Sequence, residues 1–311
     1  MKPRIIFMGT PEFAVASLDK LYNEGFEIAA VVTAPDKPAG RGLQISESAV
    51  KKYAVSKNIK ILQPVKLKDP AFLSELIDLK ADLQIVVAFR MLPEIVWNMP
   101  PMGTLNLHGS LLPQYRGAAP INWAIINGEK FTGVTTFKLL HEIDTGNILE
   151  QEIIPIGDKE TAGELHDKMK EVGASLLVKT VYGLNNNTIT EKPQYLASSS
   201  KEILKHAPKI FTETCQINWN NNIQDIFNLI RGLSPYPAAF TFLNDKKIKV
   251  FNAEIQPSND QLTPGKIESD NKLYLKFSAA NGYVFLKEIQ PEGKKRMYIE
   301  DYLRGNKVNT K

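Results

Sequence analysis

At 311 residues, with 43% hydrophobic and 23% charged residues, the chain is long enough for two domains with full cores and falls outside the disordered and fibrous classes. Its lone cysteine, Cys215, excludes an intramolecular disulfide and a cysteine-based zinc site, and no apolar run approaches the roughly 20 residues a membrane helix needs. The net charge of +4 is concentrated late, because residues 201–311 hold 17 Lys and Arg against 12 Asp and Glu, a surplus that suits a polyanionic partner or a merely solvated surface.

The opening "MKPRIIFMGTPEF" enters a strand pattern directly, without the extended apolar region and cleavage site of a signal peptide, so a cytoplasmic protein is expected. Gly9 permits a tight turn after this strand, Thr10 can cap a helix and Pro11 suits the first helical position. The turn could cradle an anion but lacks G-x-G-x-x-G, which argues against a dinucleotide site. Further apolar runs follow at "IAAVVT" (28–33), "LQIVVA" (83–88), "TLNLH" (104–108) and "GVTTFKL" (133–139). Continuous apolar strands with helix-length spacers predict an α/β domain, a Rossmann-like doubly wound parallel sheet covered on both faces.

Near residue 187 the pattern changes. "NNNTITEKPQYLASSSKEILKHAPKI" is polar, poor in large aliphatics and broken by Pro193 and Pro208, which reads as a linker. The expected organisation is a domain over 1–187, a linker over 188–208 and a second domain over 209–311. In the last, "INWNNNIQDIFNLIRGL" (217–233) has helical spacing. Closely spaced strands with turns at Asn244-Asp245, Asp270-Asn271 and Asn281-Gly282 then predict a small antiparallel, OB-like β-barrel, an architecture often used to bind nucleic acid.

The chemistry is concentrated at the end of "TLNLH". Ligands of open parallel sheets bind beyond the carboxyl ends of the strands, and alternation points Asn106 and His108 to one face with Leu105 and Leu107 on the other. A core histidine and a turn asparagine would satisfy the pair equally well. The following "GSLLPQYRGAAP" mixes free and stiff backbone, and "HEIDTGNIL" (141–149) puts Asp144 in a break after the next strand, within reach of the histidine. An amide, an imidazole and a carboxylate without a Ser or Cys nucleophile suit direct transfer between two bound substrates.

These residues carry a resemblance. "NLHGSLLPQYRGAAPINWAIINGE", "TGVTTF" and "IDTGNIL" are similar to the core signature of the formyltransferases that use 10-formyltetrahydrofolate. The flanks "RIIFMGTPEFAVASLDKL", "VVTAPDKPAGRG", "INWNNNIQDIFNLIRGLSPYPAAFTF" and "PEGKKRMYIEDYLRG" resemble the branch whose acceptor is methionyl-tRNA, and the likeness covers nearly the whole chain. It implies catalysis by Asn106, His108 and Asp144, in which the α-amine of methionyl-initiator tRNA attacks the formyl carbon through a tetrahedral intermediate. Asn106 and a protonated His108 would meet the oxygen as it gains charge, with Asp144 orienting the ring. No strong base is required, since a free α-amine has a pKa of about 7.7.

The resemblance further implies a folate slot formed by Phe89, Arg90 and Met91 on one side and Ser110, Leu111, Leu112 and Pro113 on the other. Here Phe89-Arg90 stands where the family more often has Tyr-Gly. The loop "APDKPAGRGLQISESAV" (34–50) would reach the tRNA acceptor stem through Arg41, with Lys37, although relatives often carry lysines where this chain has Gly-Leu-Gln-Ile-Ser-Glu. The co-substrate implied is 10-formyltetrahydrofolate, with no metal and no membrane partner, and a monomer is expected. Competing readings are a sugar-amine formyltransferase, a formyltetrahydrofolate hydrolase, a non-enzymatic RNA-binding module and a nucleotide-dependent oxidoreductase. His141, His166, His206, Trp97, Trp123 and Trp219 read as structural or peripheral residues.

Overall fold

The computed structural model describes residues 1–39, 44–197 and 203–308. In chain order the first half contains β1 (Arg4–Gly9), α1 (Glu12–Asn23), β2 (Glu27–Val32), β3 (Lys37–Ala39), β4 (Gln44–Ser46), α2 (Ala49–Ser56), β5 (Ile61–Leu62), α3 (Pro70–Asp78), β6 (Leu83–Val87), α4 (Glu94–Trp97) and β7 (Thr104–His108). There follow β8 (Arg116–Gly117), α5 (Pro120–Ile126), β9 (Phe131–Lys138), β10 (Ile148–Pro155), α6 (Ala162–Asn185), α7 (Gln194–Ala197) and β11 (His206–Ala207). The last part holds α8 (Ile223–Leu233), β12 (Ala239–Leu243), β13 (Lys246–Pro257), β14 (Ile267–Ser269), β15 (Leu275–Ala279), β16 (Gly282–Pro291), β17 (Met297–Tyr298) and α9 (Ile299–Gly305). Two compact units result. One comprises residues 1–117, 132–154 and 166–206, the other 118–131, 155–165 and 207–311.

The first unit is built on a seven-stranded sheet in the order β10-β9-β7-β6-β1-β2-β5. β1, β2, β5, β6 and β7 are parallel, and their runs of Ile, Val and Leu are buried on both faces, as the continuous apolar patterns predict. Side chains set several helix starts: Ser48 accepts from the Lys51 N–H at 3.0 Å, and Asp69 accepts from the Ala71 N–H at 2.9 Å ahead of Pro70. At α1 the expectation differs, since Pro11 occupies the cap position and among the described residues no side chain, Thr10 included, caps the helix. Gly9 is required by close approach, because a Cβ there would lie 2.7 Å from that of Ala14.

One strand departs from the parallel expectation. β9 pairs antiparallel with β7, with Leu105 opposite Lys138 and His108 opposite Thr135. A buried strand shows the same apolar run whichever way it points, so its direction is absent from the pattern. As a result β9 ends opposite the start of β7, and the chain after Lys138 must fold back to reach His108.

The second unit places α8 on a six-stranded antiparallel sheet of order β12-β13-β16-β15-β14, with β17 on β16, a half-barrel. Ile223, Ile226, Ile230 and Leu233 recur at helical spacing and pack with Val250, Leu275, Val284 and Leu286. Asn222 caps the helix by accepting from the Asp225 N–H at 2.9 Å. Trp219 stacks on Phe277 with ring centroids 4.3 Å apart, the packing role expected of it.

Candidate functional site

Three of the predicted residues sit on β7 and the loop after β9. Asn106 is half-buried, and among the described residues its side-chain amide makes no hydrogen bond. His108 is only 7% exposed. Its Nε2 lies 2.9 Å from the Tyr115 carbonyl, which can only accept, so this nitrogen carries a proton. Its Nδ1 lies 3.8 Å from Asp144 Oδ2. The structure therefore brings His108 and Asp144 together, while Asn106 shares their strand face by alternation.

Asp144 is held from several directions. Its backbone is left-handed, with φ +54°, a conformation Asp tolerates better than most residues. The Gly117 N–H donates to Oδ2 at 3.0 Å. Gly146 packs so tightly on β9 that a Cβ would lie 1.7 Å from the Lys138 carbonyl oxygen, which fixes glycine at that position. Gln194, 4% exposed, donates from Nε2 to the carbonyls of Asp144 at 2.7 Å and Gly146 at 2.9 Å, and Oε1 accepts from Arg116 Nε at 2.9 Å. Sequence reasoning missed Gln194, whose partners on the Asp144 turn are backbone groups and which lies in a stretch with the composition of a linker.

The Ser110–Pro113 segment is fixed by a buried network. The Thr135 hydroxyl donates to the Ser110 carbonyl at 2.6 Å and accepts from the Leu112 N–H at 3.1 Å and from Gln151 Nε2 at 2.9 Å. Gln151 Nε2 also reaches the Leu112 carbonyl at 3.0 Å, and the Ser110 hydroxyl donates to the Gln114 carbonyl at 2.6 Å. Ser110, Leu112 and Pro113 are buried and Leu111 is half-buried, so the Ser110 side chain shapes the loop from inside.

The loop after β6 is different. Phe89 is half-buried, Arg90 and Met91 are exposed, and among the described residues the backbone N–H and C=O groups of these three bond to nothing. Arg90 stacks over the Phe89 ring at 5.5 Å and donates to the carbonyls of Val65, at 2.9 Å, and Pro64. It thereby joins the loops that follow β6 and β5, two parallel strands with β1 and β2 between them in the sheet.

Lys37 is exposed on β3, and Arg41 lies outside the described residues. Beside Lys37, the Asp36 carboxylate pairs with Lys51 and accepts from Gln63 Nε2 at 2.8 Å, and these contacts hold its pKa below the usual carboxylate range. Among the described residues no cluster of three His, Cys, Asp or Glu could hold a metal ion, and no helix is long and apolar enough to cross a membrane.

Residues 2–181 match the family described as formyl transferase, and residues 209–307 match the formyl transferase C-terminal domain. The chain belongs to the formyl transferase family. It is 53% identical over 312 residues to the methionyl-tRNA formyltransferase of Azobacteroides pseudotrichonymphae and 52% identical over 310 residues to that of Parabacteroides distasonis, in each case across 98% of this chain and 96% of the relative. Within the family it thus groups with the methionyl-tRNA formyltransferases, enzymes of formyl transfer. The fold is also that of an N-formyltransferase from Helicobacter canadensis solved with folinic acid and dTDP-3-aminofucose, at a TM-score of 0.67 and 23% identity over 94% of this chain and all of that one.

Proposed function

We propose that this chain transfers the formyl group of 10-formyltetrahydrofolate to the α-amine of methionine esterified to initiator tRNA. The observation that supports the reading most is the approach of Asp144 to His108, which shares its strand face with Asn106, whose amide has no partner among the described residues, in a chain about half identical to methionyl-tRNA formyltransferases.

The amine attacks the formyl carbon to give a tetrahedral intermediate, whose collapse breaks the bond from that carbon to the folate nitrogen; the amine loses a proton and the departing folate nitrogen takes one up, leaving N-formylmethionyl-tRNA and tetrahydrofolate. Asn106 and His108 donate to the formyl oxygen as it becomes negative, and Asp144 orients the imidazole. For His108 to do so from Nε2, its bond to the Tyr115 carbonyl must be exchanged for the substrate, a tightening common between free and loaded sites. The backbone edges of Phe89, Arg90 and Met91, unbonded among the described residues, fit the donors and acceptors of a flat pterin, with Ser110, Leu111, Leu112 and Pro113 as the opposite wall.

Residues 1–187 are assigned to catalysis, 188–208 to a linker and 209–311 to tRNA binding, with Arg41 and Lys37 reaching the acceptor stem. The protein acts as a cytoplasmic monomer in this reading. Replacing Arg41 with alanine is expected to weaken formylation of charged tRNA and leave donor binding intact. The deciding experiment offers the purified protein and formyl-folate three acceptors in parallel: methionyl-tRNA, an aminated nucleotide sugar and water. Formylation of the tRNA alone is expected, whereas turnover on the sugar or on water with the tRNA untouched would replace this reading with a sugar formyltransferase or a hydrolase.

A further inference from the structure

We propose that Gln194 is a positioning residue for formyl transfer, acting through Asp144; this rests on the reading of Asp144 as the residue that orients His108. Gln194 is nine-tenths buried at the start of α7, and every hydrogen-bonding group of its amide is committed to the Asp144 neighbourhood. One N–H goes to the carbonyl of Asp144 and the other to that of Gly146, the two ends of a turn whose first residue is left-handed. The amide oxygen takes both Nε and Nη2 of Arg116. Arg116 precedes Gly117, whose N–H bonds the Asp144 carboxylate at 3.0 Å. One side chain therefore fixes both the backbone that carries the carboxylate and the neighbour of the group that aims it.

The chain around Gln194 is anchored to the same turn. Lys192 and Ile148 exchange two backbone hydrogen bonds of 2.8 Å, and Glu191 accepts from Asn147 Nδ2 at 3.0 Å and Lys138 Nζ at 3.1 Å. Only a primary amide supplies two donors and an acceptor in one plane. Glutamate keeps the acceptor for Arg116 and loses both donors to the turn, and methionine keeps the shape and loses everything. The separation of 3.8 Å between His108 and Asp144 lies just beyond hydrogen-bond range, so a small displacement of the turn decides whether the pair can close.

The test is a double-mutant cycle in steady-state and single-turnover kinetics with methionyl-tRNA, using Gln194→Met, Gln194→Glu, Asp144→Asn and the Gln194→Met/Asp144→Asn combination. Both Gln194 variants are expected to lower kcat roughly 10- to 100-fold, the cost of misplacing a group in a preorganised site, with KM for the formyl donor close to wild type. In the Asp144→Asn background the same change should cost less than about threefold, because the carboxylate to be positioned is already gone. If Gln194→Met does not fold, Gln194→Glu decides on its own. Wild-type kcat in Gln194→Glu, or an undiminished loss in the double variant, overturns the inference alone. Wild-type turnover in Asp144→Asn defeats the reading of Asp144 and the inference together.

Discussion

The two loops that flank β7 are built in opposite ways. The loop after β9 commits its polar groups internally: the carbonyls of Asp144 and Gly146 go to Gln194, the Asp144 carboxylate accepts from Gly117, and the Thr145 hydroxyl donates to the Glu142 carbonyl at 3.0 Å. The loop after β6 leaves the backbone of Phe89, Arg90 and Met91 unbonded among the described residues, and Met91 is 72% exposed. Groups that must meet developing charge gain by being fixed before the reaction, whereas groups that recognise a ligand must wait for it to complete their hydrogen bonds. Substitutions in the first loop should therefore act on turnover, and substitutions in the second on donor affinity.

The sharpest way to break that division is at β7 itself. Asn106→Ala and His108→Ala should each lower turnover on the order of 10²- to 10³-fold, the usual cost of one lost oxyanion donor, with little change in donor affinity. Stopped-flow or quench measurement of the transfer step, set beside equilibrium binding of the folate, separates the two quantities. Wild-type turnover in either variant would remove the residue from the chemistry.

A second prediction concerns stability. Thr135→Val keeps the shape but strips the hydroxyl that serves Ser110, Leu112 and Gln151, leaving a buried N–H and a buried carbonyl unpaired. The expected loss is about 3 kcal/mol in denaturant unfolding. A variant as stable as wild type would mean that water or backbone adjustment replaces the network, and that the Ser110–Pro113 wall is softer than its bonding implies.

How much of this was legible in the sequence follows the kind of partner each residue has. Asn106 and His108 stood out because they are polar positions inside an apolar strand, and Asp144 because it falls in a break one strand later; the meeting of His108 with Asp144 at 3.8 Å is the observed counterpart. The direction of β9 was not legible, since burial on two faces erases the alternation that would distinguish its pairing. Gln194 and Arg231 were missed for a shared reason. Arg231 is 6% exposed in α8 and donates to the carbonyls of Gly157 and Glu160, some 70 residues away in sequence. Backbone acceptors leave no mark in the side-chain pattern, so a residue that serves them looks like any polar residue on a helix or in a linker.

Arg90 allows a finer test of the open loop. Its guanidinium bridges to the carbonyls of Pro64 and Val65, so Arg90→Gly releases one loop from the other. KM for the formyl donor is expected to change by roughly threefold to tenfold, the scale of one or two charge-assisted hydrogen bonds partly exposed to water, while kcat stays within about twofold. A fall in kcat with unchanged KM would mean that the 89–91 loop, too, acts on the chemistry.

The smallest effect is expected at the base of the segment carrying Lys37. Asp36 is tied to Lys51, which also meets Glu47 at 2.8 Å, and to Gln63, whose amide spans Asp36 and the Ala34 carbonyl. The bond from Lys51 is the largest cause that lowers the Asp36 pKa, and the bond from Gln63 comes second. A carboxylate with a lowered folded-state pKa stabilises the folded chain fully only above its unfolded value of about 3.9, and that contribution disappears as pH falls through the lower folded value. The anchor should thus be intact throughout the neutral range and be lost only in acid below about pH 4, making formylation near neutrality indifferent to it. Carboxyl NMR of Asp36 should titrate below the free-peptide midpoint in the wild type and move up toward it, though not fully, in Lys51→Met, because Gln63 still donates. A midpoint unchanged by Lys51→Met would show that the lysine contact is solvated away and that Gln63 alone holds this end of the loop.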